Sequence, residues 1–206
     1  MTITAIAFDW GGIFTEGTFD SSAVRALAAR TGRAEDQIAA TYFPLMEHFE
    51  AGAFSFDTFS QKFVQETGVD LELPDFRDTF LGAVRERREM FGVLGAIPES
   101  YTVGMLSNNV AVLCDGVRDD PRMARVEHFV FSNEIEVRKP DPAAFAALTQ
   151  ALGRPPEETV FVDDNRDNIA ACEALGYRGL WLESYAGFAA AWRQLLPDLP
   201  LPAPLP

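Results

Sequence analysis

The chain contains short apolar runs that each end abruptly at glycine or polar residues, and this pattern constrains the possible folds most strongly. The first run extends from Ile3 to Asp9 and stops at Trp10-Gly11-Gly12. Such a composition is typical of a strand in a parallel sheet, because helices cover both faces of that sheet. Similar runs follow at Tyr101 to Leu106, Phe129 to Phe131 and Val160 to Val162, with a further candidate at Gly179 to Leu182.

Helical patterns separate the later runs. They cover Val110 to Val117, Ala143 to Leu152 and Asn168 to Leu175, and Gly176 closes the last of them. An alternation of strands and helices at this spacing predicts βαβ units. The predicted fold class is therefore α/β, with a Rossmann-like, three-layer core built on a parallel sheet.

Residues 18–95 interrupt the alternation, because they contain no strand-like run. Their helical patterns cover Ser21 to Arg30, Glu35 to Phe49, Ser55 to Thr67 and Pro74 to Met90. The pattern predicts an inserted helical subdomain, and most of the 17 phenylalanines lie in or next to it. Large aromatic side chains let a small helical unit bury enough apolar area. Phe43, Phe49 and Phe54 are candidates to line a substrate pocket instead.

The chain thus divides into a core of residues 1–17 and 96–196, an insertion of residues 18–95 and a tail of residues 197–206. The tail, PDLPLPAPLP, holds five of the 13 prolines. Proline sustains neither a helix nor a central strand, so we expect the tail to be extended.

The formal net charge is −14, from 31 acidic and 17 basic residues. Such a field repels the phosphates of nucleic acids and anionic membranes, so we expect neither as a partner. We find no targeting segment and no apolar stretch long enough to span a membrane. The two cysteines, Cys114 and Cys172, lie in apolar-patterned stretches, which favours reduced, buried thiols and a cytoplasmic location.

Polar residues follow the predicted strands at the point where each ends. Asp9 follows the first strand, Ser107 follows the second, and Asp163-Asp164 follows Val160 to Val162, while Lys139 lies in a loop. The carboxyl ends of parallel strands form the usual ligand crevice of such a sheet. Adjacent carboxylates repel each other unless a cation or proton lies between them, so this edge is a candidate Mg²⁺ site.

These residues belong to four short motifs, and the ordered set resembles the haloacid dehalogenase superfamily, whose members are mostly phosphatases that form an aspartyl-phosphate. The motifs are Phe8-Asp9-Trp10-Gly11-Gly12-Ile13, Met105-Leu106-Ser107-Asn108-Asn109, Arg138-Lys139-Pro140-Asp141-Pro142 and Phe161-Val162-Asp163-Asp164-Asn165. The resemblance covers essentially the whole chain apart from the tail, and the insertion resembles the α-helical cap of the family. The run from Asp163 to Ile169 is closest to the branch of α-glucose-1-phosphate phosphatases and the N-terminal phosphatase domain of soluble epoxide hydrolases.

The resemblance implies that Asp9 is the nucleophile and that one of its oxygens also binds Mg²⁺. It implies Asp164 and the carbonyl oxygen of Gly11 as further metal ligands, with Asp163 and Asn168 nearby or acting through water. The expected cofactor is therefore Mg²⁺, held at the end of the sheet.

The resemblance likewise implies a phosphate site. Ser107, helped by the amide of Asn108, is expected to hold phosphate oxygens, and Lys139 to bridge the phosphate and Asp9. The expected activity is hydrolysis of a small phosphorylated metabolite, with sugar phosphates among the candidates.

The chain departs from most phosphatases of this superfamily at Gly11. They carry there an aspartate that protonates the leaving oxygen and later activates water, an effect typically worth about 10²–10⁴-fold. Three explanations stay open: the leaving group departs without full protonation, as from an anomeric phosphate; Glu16 or His48 replaces the aspartate; or the enzyme is slow.

Two other functions compete. A 2-haloacid dehalogenase also uses an aspartate nucleophile and tolerates the missing second aspartate, but it needs no metal, and the pair Asp163-Asp164 argues for phosphate. A member of the family that has lost turnover and serves as a binding module would need none of Asp9, Ser107, Lys139 and Asp164.

Overall fold

A computed structural model describes residues 2–202 of the chain and contains a five-stranded parallel sheet. Its strands are Ala5–Phe8 (β1), Thr102–Ser107 (β2), His128–Phe131 (β3), Thr159–Asp163 (β4) and Arg178–Trp181 (β5). Their order in the sheet is β3-β2-β1-β4-β5, and every neighbouring pair is parallel. The predicted parallel sheet is confirmed, and the candidate at Gly179 to Leu182 is its fifth strand.

Ten helices accompany the sheet within the described residues. In chain order they are Phe19–Thr31 (α1), Glu35–Glu50 (α2), Phe56–Thr67 (α3), Leu73–Leu81 (α4), Arg88–Gly95 (α5), Ala111–Asp119 (α6), Ser132–Ile135 (α7), Pro142–Leu152 (α8), Arg166–Ala174 (α9) and Tyr185–Leu195 (α10). Helix α10 had no counterpart in the sequence analysis. Ser184 caps it, and Phe188 and Trp192 repeat four residues apart on its buried face.

The two faces of the sheet bury separate apolar clusters, which makes the core three-layered. In β1, Ala5 and Ala7 belong to the cluster that α8 and α9 cover. Ile6 and Phe8 belong to the other cluster, which continues into α10 and into the helices before β2. Successive strand residues point to opposite faces, so a strand covered on both sides is apolar throughout.

The helices α1 to α4 pack around phenylalanines, as the composition predicts. The ring of Phe49 stacks on that of Phe59 at 4.8 Å, and Phe80 packs edge-on against Phe56 at 5.4 Å. Phe43 is instead 44% exposed.

The predicted helix over Pro74 to Met90 is confirmed only as far as Leu81, and its continuation to Met90 is wrong. Helix α4 ends at Leu81, and the backbone N–H of Gly82 closes it by donating to the carbonyl oxygens of Asp78 and Phe80. The chain then runs extended, where Glu86 bridges to Thr15, before α5 begins.

The described part of the tail packs on the core. Leu199 is buried, and its carbonyl oxygen accepts a hydrogen bond from the indole of Trp192 at 2.9 Å. The predicted extended tail otherwise concerns residues 203–206, which lie outside the described residues. Both cysteines are buried free thiols, as expected. Among residues 2–202, every helix is too short or too polar to cross a bilayer.

Candidate active site

Three carboxylates meet at the carboxyl end of the sheet. Asp9 directly follows β1, Asp163 is the last residue of β4, and Asp164 comes next. Because β1 and β4 are neighbours, with Phe8 opposite Val162, the three side chains can each place an oxygen within 4.8 Å of the others. The connection after β1 leads to β2 on one side of the sheet, and the connection after β4 leads to β5 on the other side. The gap between β1 and β4 is therefore the point where α/β proteins place ligands.

The carboxylate of Asp163 is fully engaged. It is 0% exposed and accepts hydrogen bonds from Lys139 Nζ at 2.7 Å, Asn168 Nδ2 at 3.0 Å and the backbone N–H of Asn165 at 2.8 Å. Asp163 therefore positions Lys139, and Asp9 and Asp164 are the carboxylates left to face the crevice.

Lys139 lies between two carboxylates. Its Nζ is 3.0 Å from Asp9 Oδ1, and its own backbone is held by Asn108, whose side chain donates to the Lys139 carbonyl at 3.0 Å and accepts from the Lys139 N–H at 2.8 Å. The side chain of Asn108 thus supports Lys139, and the phosphate contact expected of the Asn108 amide stays a prediction. Ser107 is buried at the end of β2, beside this arrangement.

The surroundings of Asp9 disfavour the ionised form of its carboxyl group. Burial raises its pKa to about 7; Lys139 opposes this, whereas Asp163 and Asp164 add to it. The pKa of Asp164 rises to about 6, again through burial and then through Asp163. Three acids face one lysine, so a further cation is the natural way to ionise all three.

Gly11 and Gly12 occupy different environments. A Cβ at Gly12 would lie 2.0 Å from Oδ2 of Asp164, and its φ of +70° also favours glycine. A Cβ at Gly11 would meet no described atom within 4 Å. Glycine is therefore required at position 12 to admit Asp164, whereas position 11 has room for a side chain.

A cavity of about 380 Å³ lies over Asp9, with walls from both the sheet edge and the helical insertion. The insertion contributes Asp20, Met46 and Glu50 to it, and the core contributes Asn109 and Arg138 among others. Burial raises the pKa of Glu50 to about 8, and Asp20 adds to this while Arg138 opposes it.

None of these polar wall residues is predicted from the sequence as a site residue. Glu16 and His48, the candidates to replace the missing aspartate, are exposed and do not line the cavity. Of the phenylalanines proposed for the pocket, Phe49 is buried against Phe59, and Phe43 and Phe54 also lie outside the wall. Only Glu50 could have been identified from the sequence as a site residue, because it is an acid at the end of the apolar face of α2.

The donor set fits a hard divalent cation. Asp9 and Asp164 offer carboxylate oxygens that lie within 4.8 Å of each other, Gly11 lines the same cavity, and the cavity has space for water or substrate. Mg²⁺ is commonly held by one or two carboxylates, with water and phosphate completing its shell. No thiol or imidazole belongs to this carboxylate cluster.

Comparison with known proteins gives one family. The profile of the haloacid dehalogenase-like hydrolases matches residues 3–176. D-ribitol-5-phosphate phosphatase from Bacteroides thetaiotaomicron is 25% identical over 204 residues, covering 94% of this chain and 97% of that protein.

Solved structures share the fold. A HAD family enzyme of Bacteroides thetaiotaomicron, crystallised with magnesium and inorganic phosphate, superposes with a TM-score of 0.74 at 19% identity, covering 89% of this chain and 98% of that one. An L-2-haloacid dehalogenase superposes with a TM-score of 0.70 at 17% identity, covering 90% and 88%. A phosphatase and a dehalogenase therefore both occur among the proteins that this chain resembles.

Proposed function

The chain belongs to the haloacid dehalogenase-like hydrolases, and we propose that it is an Mg²⁺-dependent phosphomonoesterase that acts on a small phosphorylated metabolite through an aspartyl-phosphate at Asp9. The observation that carries this proposal is the carboxylate cluster. Lys139 is shared between Asp163 and Asp9, so the three carboxylates outnumber the one ammonium, and Asp9 and Asp164 both face the cavity. A relative that is a ribitol-5-phosphate phosphatase and a neighbour crystallised with magnesium and phosphate support the same chemistry.

The metal is assigned to Asp9, Asp164 and the carbonyl oxygen of Gly11. When bound, it supplies the positive charge that lets a phosphate dianion approach these acids. Lys139 adds a fixed ammonium next to Asp9 Oδ1. The hydroxyl of Ser107 and the backbone N–H of Asn108 hold phosphate oxygens, where negative charge increases in the transition state.

In the first step a carboxylate oxygen of Asp9 attacks phosphorus as the bond from phosphorus to the ester oxygen breaks. The backbone N–H of Trp10 donates to Asp9 Oδ1 at 2.7 Å and, with Lys139, fixes the plane of the attacking carboxylate. The leaving alkoxide takes its proton from water, because Gly11 provides no acid. Water then attacks the aspartyl-phosphate, which releases inorganic phosphate and restores Asp9.

The test is phosphate release by the purified protein from a panel of phosphate monoesters, with Mg²⁺ and after its removal by a chelator. Asp9→Asn keeps the shape of the side chain and removes the nucleophile, so we expect it to abolish turnover. Acid-labile phosphate should be trapped on the wild-type protein and not on Asp9→Asn. Wild-type phosphate release equal to that of Asp9→Asn, with no trapped phosphate, would leave a binding module as the better description.

A second candidate, 2-haloacid dehalogenation, is favoured by the absence of an acid at Gly11. Against it stand Asp164 and the acidic cavity wall, which repel the carboxylate of a haloacid. Chloride release from 2-chloroacids that persists in chelator would favour the dehalogenase over the phosphatase.

A further inference from the structure

Part of the cavity wall consists of polar side chains that the proposed phosphate chemistry does not use. It consists of Asp20 and Glu50 from the helical insertion and Asn109 and Arg138 from the core. We call this set the cap wall. Each of its members is held in place by other parts of the fold.

Asn109 presents a buried donor without a partner. The residue is 2% exposed, and its Nδ2 has no hydrogen-bond partner among the described residues. Its orientation is determined, because Oδ1 accepts the backbone N–H of Val110 at 2.8 Å. A buried donor left unpaired is rare and costs stability, so a hydrogen-bond acceptor on a ligand is its natural partner.

Glu50 is anchored to the core twice. Oε2 of Glu50 accepts a hydrogen bond from Arg138 Nε at 2.8 Å and lies 2.7 Å from Arg138 Nη2. This ion pair therefore leaves Oε1 of Glu50 unused. The carbonyl oxygen of Glu50 accepts the hydroxyl of Ser132 at 2.6 Å, and the same hydroxyl accepts the backbone N–H of Asn109. The carboxylate is thus rigid at the cavity, with its side chain only 8% exposed.

Asp20 supplies the second acceptor. Its Oδ1 accepts the hydroxyl of Tyr42, a fully buried residue of α2, at 2.8 Å. That hydrogen bond also involves one oxygen only. The cap wall therefore offers carboxylate acceptors and an amide donor at fixed positions around one space.

A hydroxyl group both donates and accepts, and it carries no charge, so it can satisfy such a mixed wall. A carboxylate on the leaving group would instead enter a confined, poorly solvated space that already holds Asp9, Asp164, Asp20 and Glu50 against two cations, Lys139 and Arg138, which are paired with Asp9 and Glu50. We propose that the cap wall is a leaving-group subsite that selects phosphate esters of neutral polyhydroxylated compounds and rejects esters whose leaving group is a carboxylate. This inference rests on the proposed phosphatase function and specifies its substrate class.

The experiment compares kcat/KM, with Mg²⁺, for three esters: the terminal phosphate of a linear five-carbon polyol, 3-phosphoglycerate and phenyl phosphate. For the wild type we expect the polyol ester to exceed 3-phosphoglycerate by about 100-fold or more, since a site built for hydroxyl groups rejects analogues that leave its polar groups unpaired. Phenyl phosphate has no hydroxyl group to bind and reports on the reaction at Asp9.

The double variant Asp20→Asn/Glu50→Gln removes two ionisable carboxyl groups without changing side-chain shape. We expect its preference for the polyol ester over 3-phosphoglycerate to fall by about 10-fold or more, and its preference for the polyol ester over phenyl phosphate to fall as well. Glu47 lies on the exposed face of α2, the helix that also contains Glu50. Glu47→Gln is therefore the control, and it should keep the wild-type ratios. Circular dichroism and thermal unfolding check that the variants fold.

Unchanged ratios in the double variant, or a wild-type preference for 3-phosphoglycerate, would overturn the subsite. Hydrolysis of phenyl phosphate in those cases would show that the phosphatase itself survives. Failure to hydrolyse any of the three esters would overturn the phosphatase function, and the subsite with it.

Discussion

The sheet edge and the cap wall border one cavity, but they hold their functional groups differently. Asp9, Lys139 and Asp164 lie at strand ends or in loops beside them, where the register of the sheet fixes the main chain. Asp20 and Glu50 lie inside helices and depend on side-chain partners, Tyr42 and Arg138. Loss of a charged group at the sheet edge should therefore affect every substrate equally, whereas changes in the cap wall should alter the choice among substrates.

The largest effect is expected for Lys139→Met. The change removes the one cation between Asp9 and Asp163, and we expect kcat/KM to fall by about 10³-fold for every ester. The free energy of unfolding at pH 8 should also fall, by about 3 kcal/mol, because two buried carboxylates lose their partner. Phosphate release and urea unfolding measure the two effects.

Lys62, the other lysine of the chain, is exposed on α3 and provides the control. Lys62→Met should change neither quantity appreciably. A loss in Lys139→Met confined to one ester would contradict the distinction between sheet edge and cap wall.

The next effect concerns the two adjacent glycines. A methyl group at position 12 overlaps the carboxylate of Asp164, so we expect Gly12→Ala to weaken the apparent Mg²⁺ affinity by about 100-fold, the scale of lost metal-site support. Gly11→Ala, which enters open space, should weaken it much less. Activity measured against Mg²⁺ concentration gives both values, and equal losses would show that Asp164 does not hold the metal.

The third effect is a dependence of Mg²⁺ binding on pH. Without metal, the pKa of Asp9 is raised to about 7 and that of Asp164 to about 6, and both must lose their protons to bind a cation. Between pH 8 and pH 5.5 we expect the apparent affinity to fall by about 30-fold, from the protonation of Asp9 alone. Calorimetric titration with Mg²⁺ at several pH values measures it, with Asp164→Asn as the comparison variant.

Stability should change in the opposite direction with pH. Both carboxyls have a folded-state pKa above the unfolded value of 3.8, so their contribution is fully present below about pH 4 and is lost as the pH rises through about 6 to 7. Mg²⁺ should therefore raise the melting temperature far more at pH 8 than at pH 5. An equal rise at both would place the metal away from these acids.

The difference between the sheet edge and the cap wall also explains which parts of the site the sequence predicts. All five strands, and the proximity of Asp9 to Asp164, follow from apolar runs that end at polar residues, because parallel strands deliver their carboxyl ends to one edge. The sites of Asp20 and Glu50 depend on how helices of the insertion lie across that edge. No local pattern contains this information.

The same limit applies to the errors in the fold. The periodicity of Pro74 to Met90 continues through Gly82, but the segment there pairs with Thr15, a contact remote in sequence. A remote contact also determines the side chain of Asn108, which supports Lys139, 31 residues away, while its backbone N–H remains the proposed phosphate donor. In each case the decisive contact is tertiary, so the local sequence does not contain it.

The smallest predicted effect tests the one place where the sheet edge is incomplete. Position 11 has room for a side chain, so Gly11→Asp would place a carboxyl beside the leaving oxygen. General acid catalysis is typically worth about 10²–10⁴-fold, and an unrefined carboxyl should recover about 10-fold in kcat for a polyol ester. The gain should be smaller for phenyl phosphate, because phenolate departs with less need of a proton. Gly11→Asn has the same size and no acidic proton, and its kcat should not rise. Equal rates for Gly11→Asp and Gly11→Asn would show that a carboxyl at position 11 does not protonate the leaving group in a step that limits the rate.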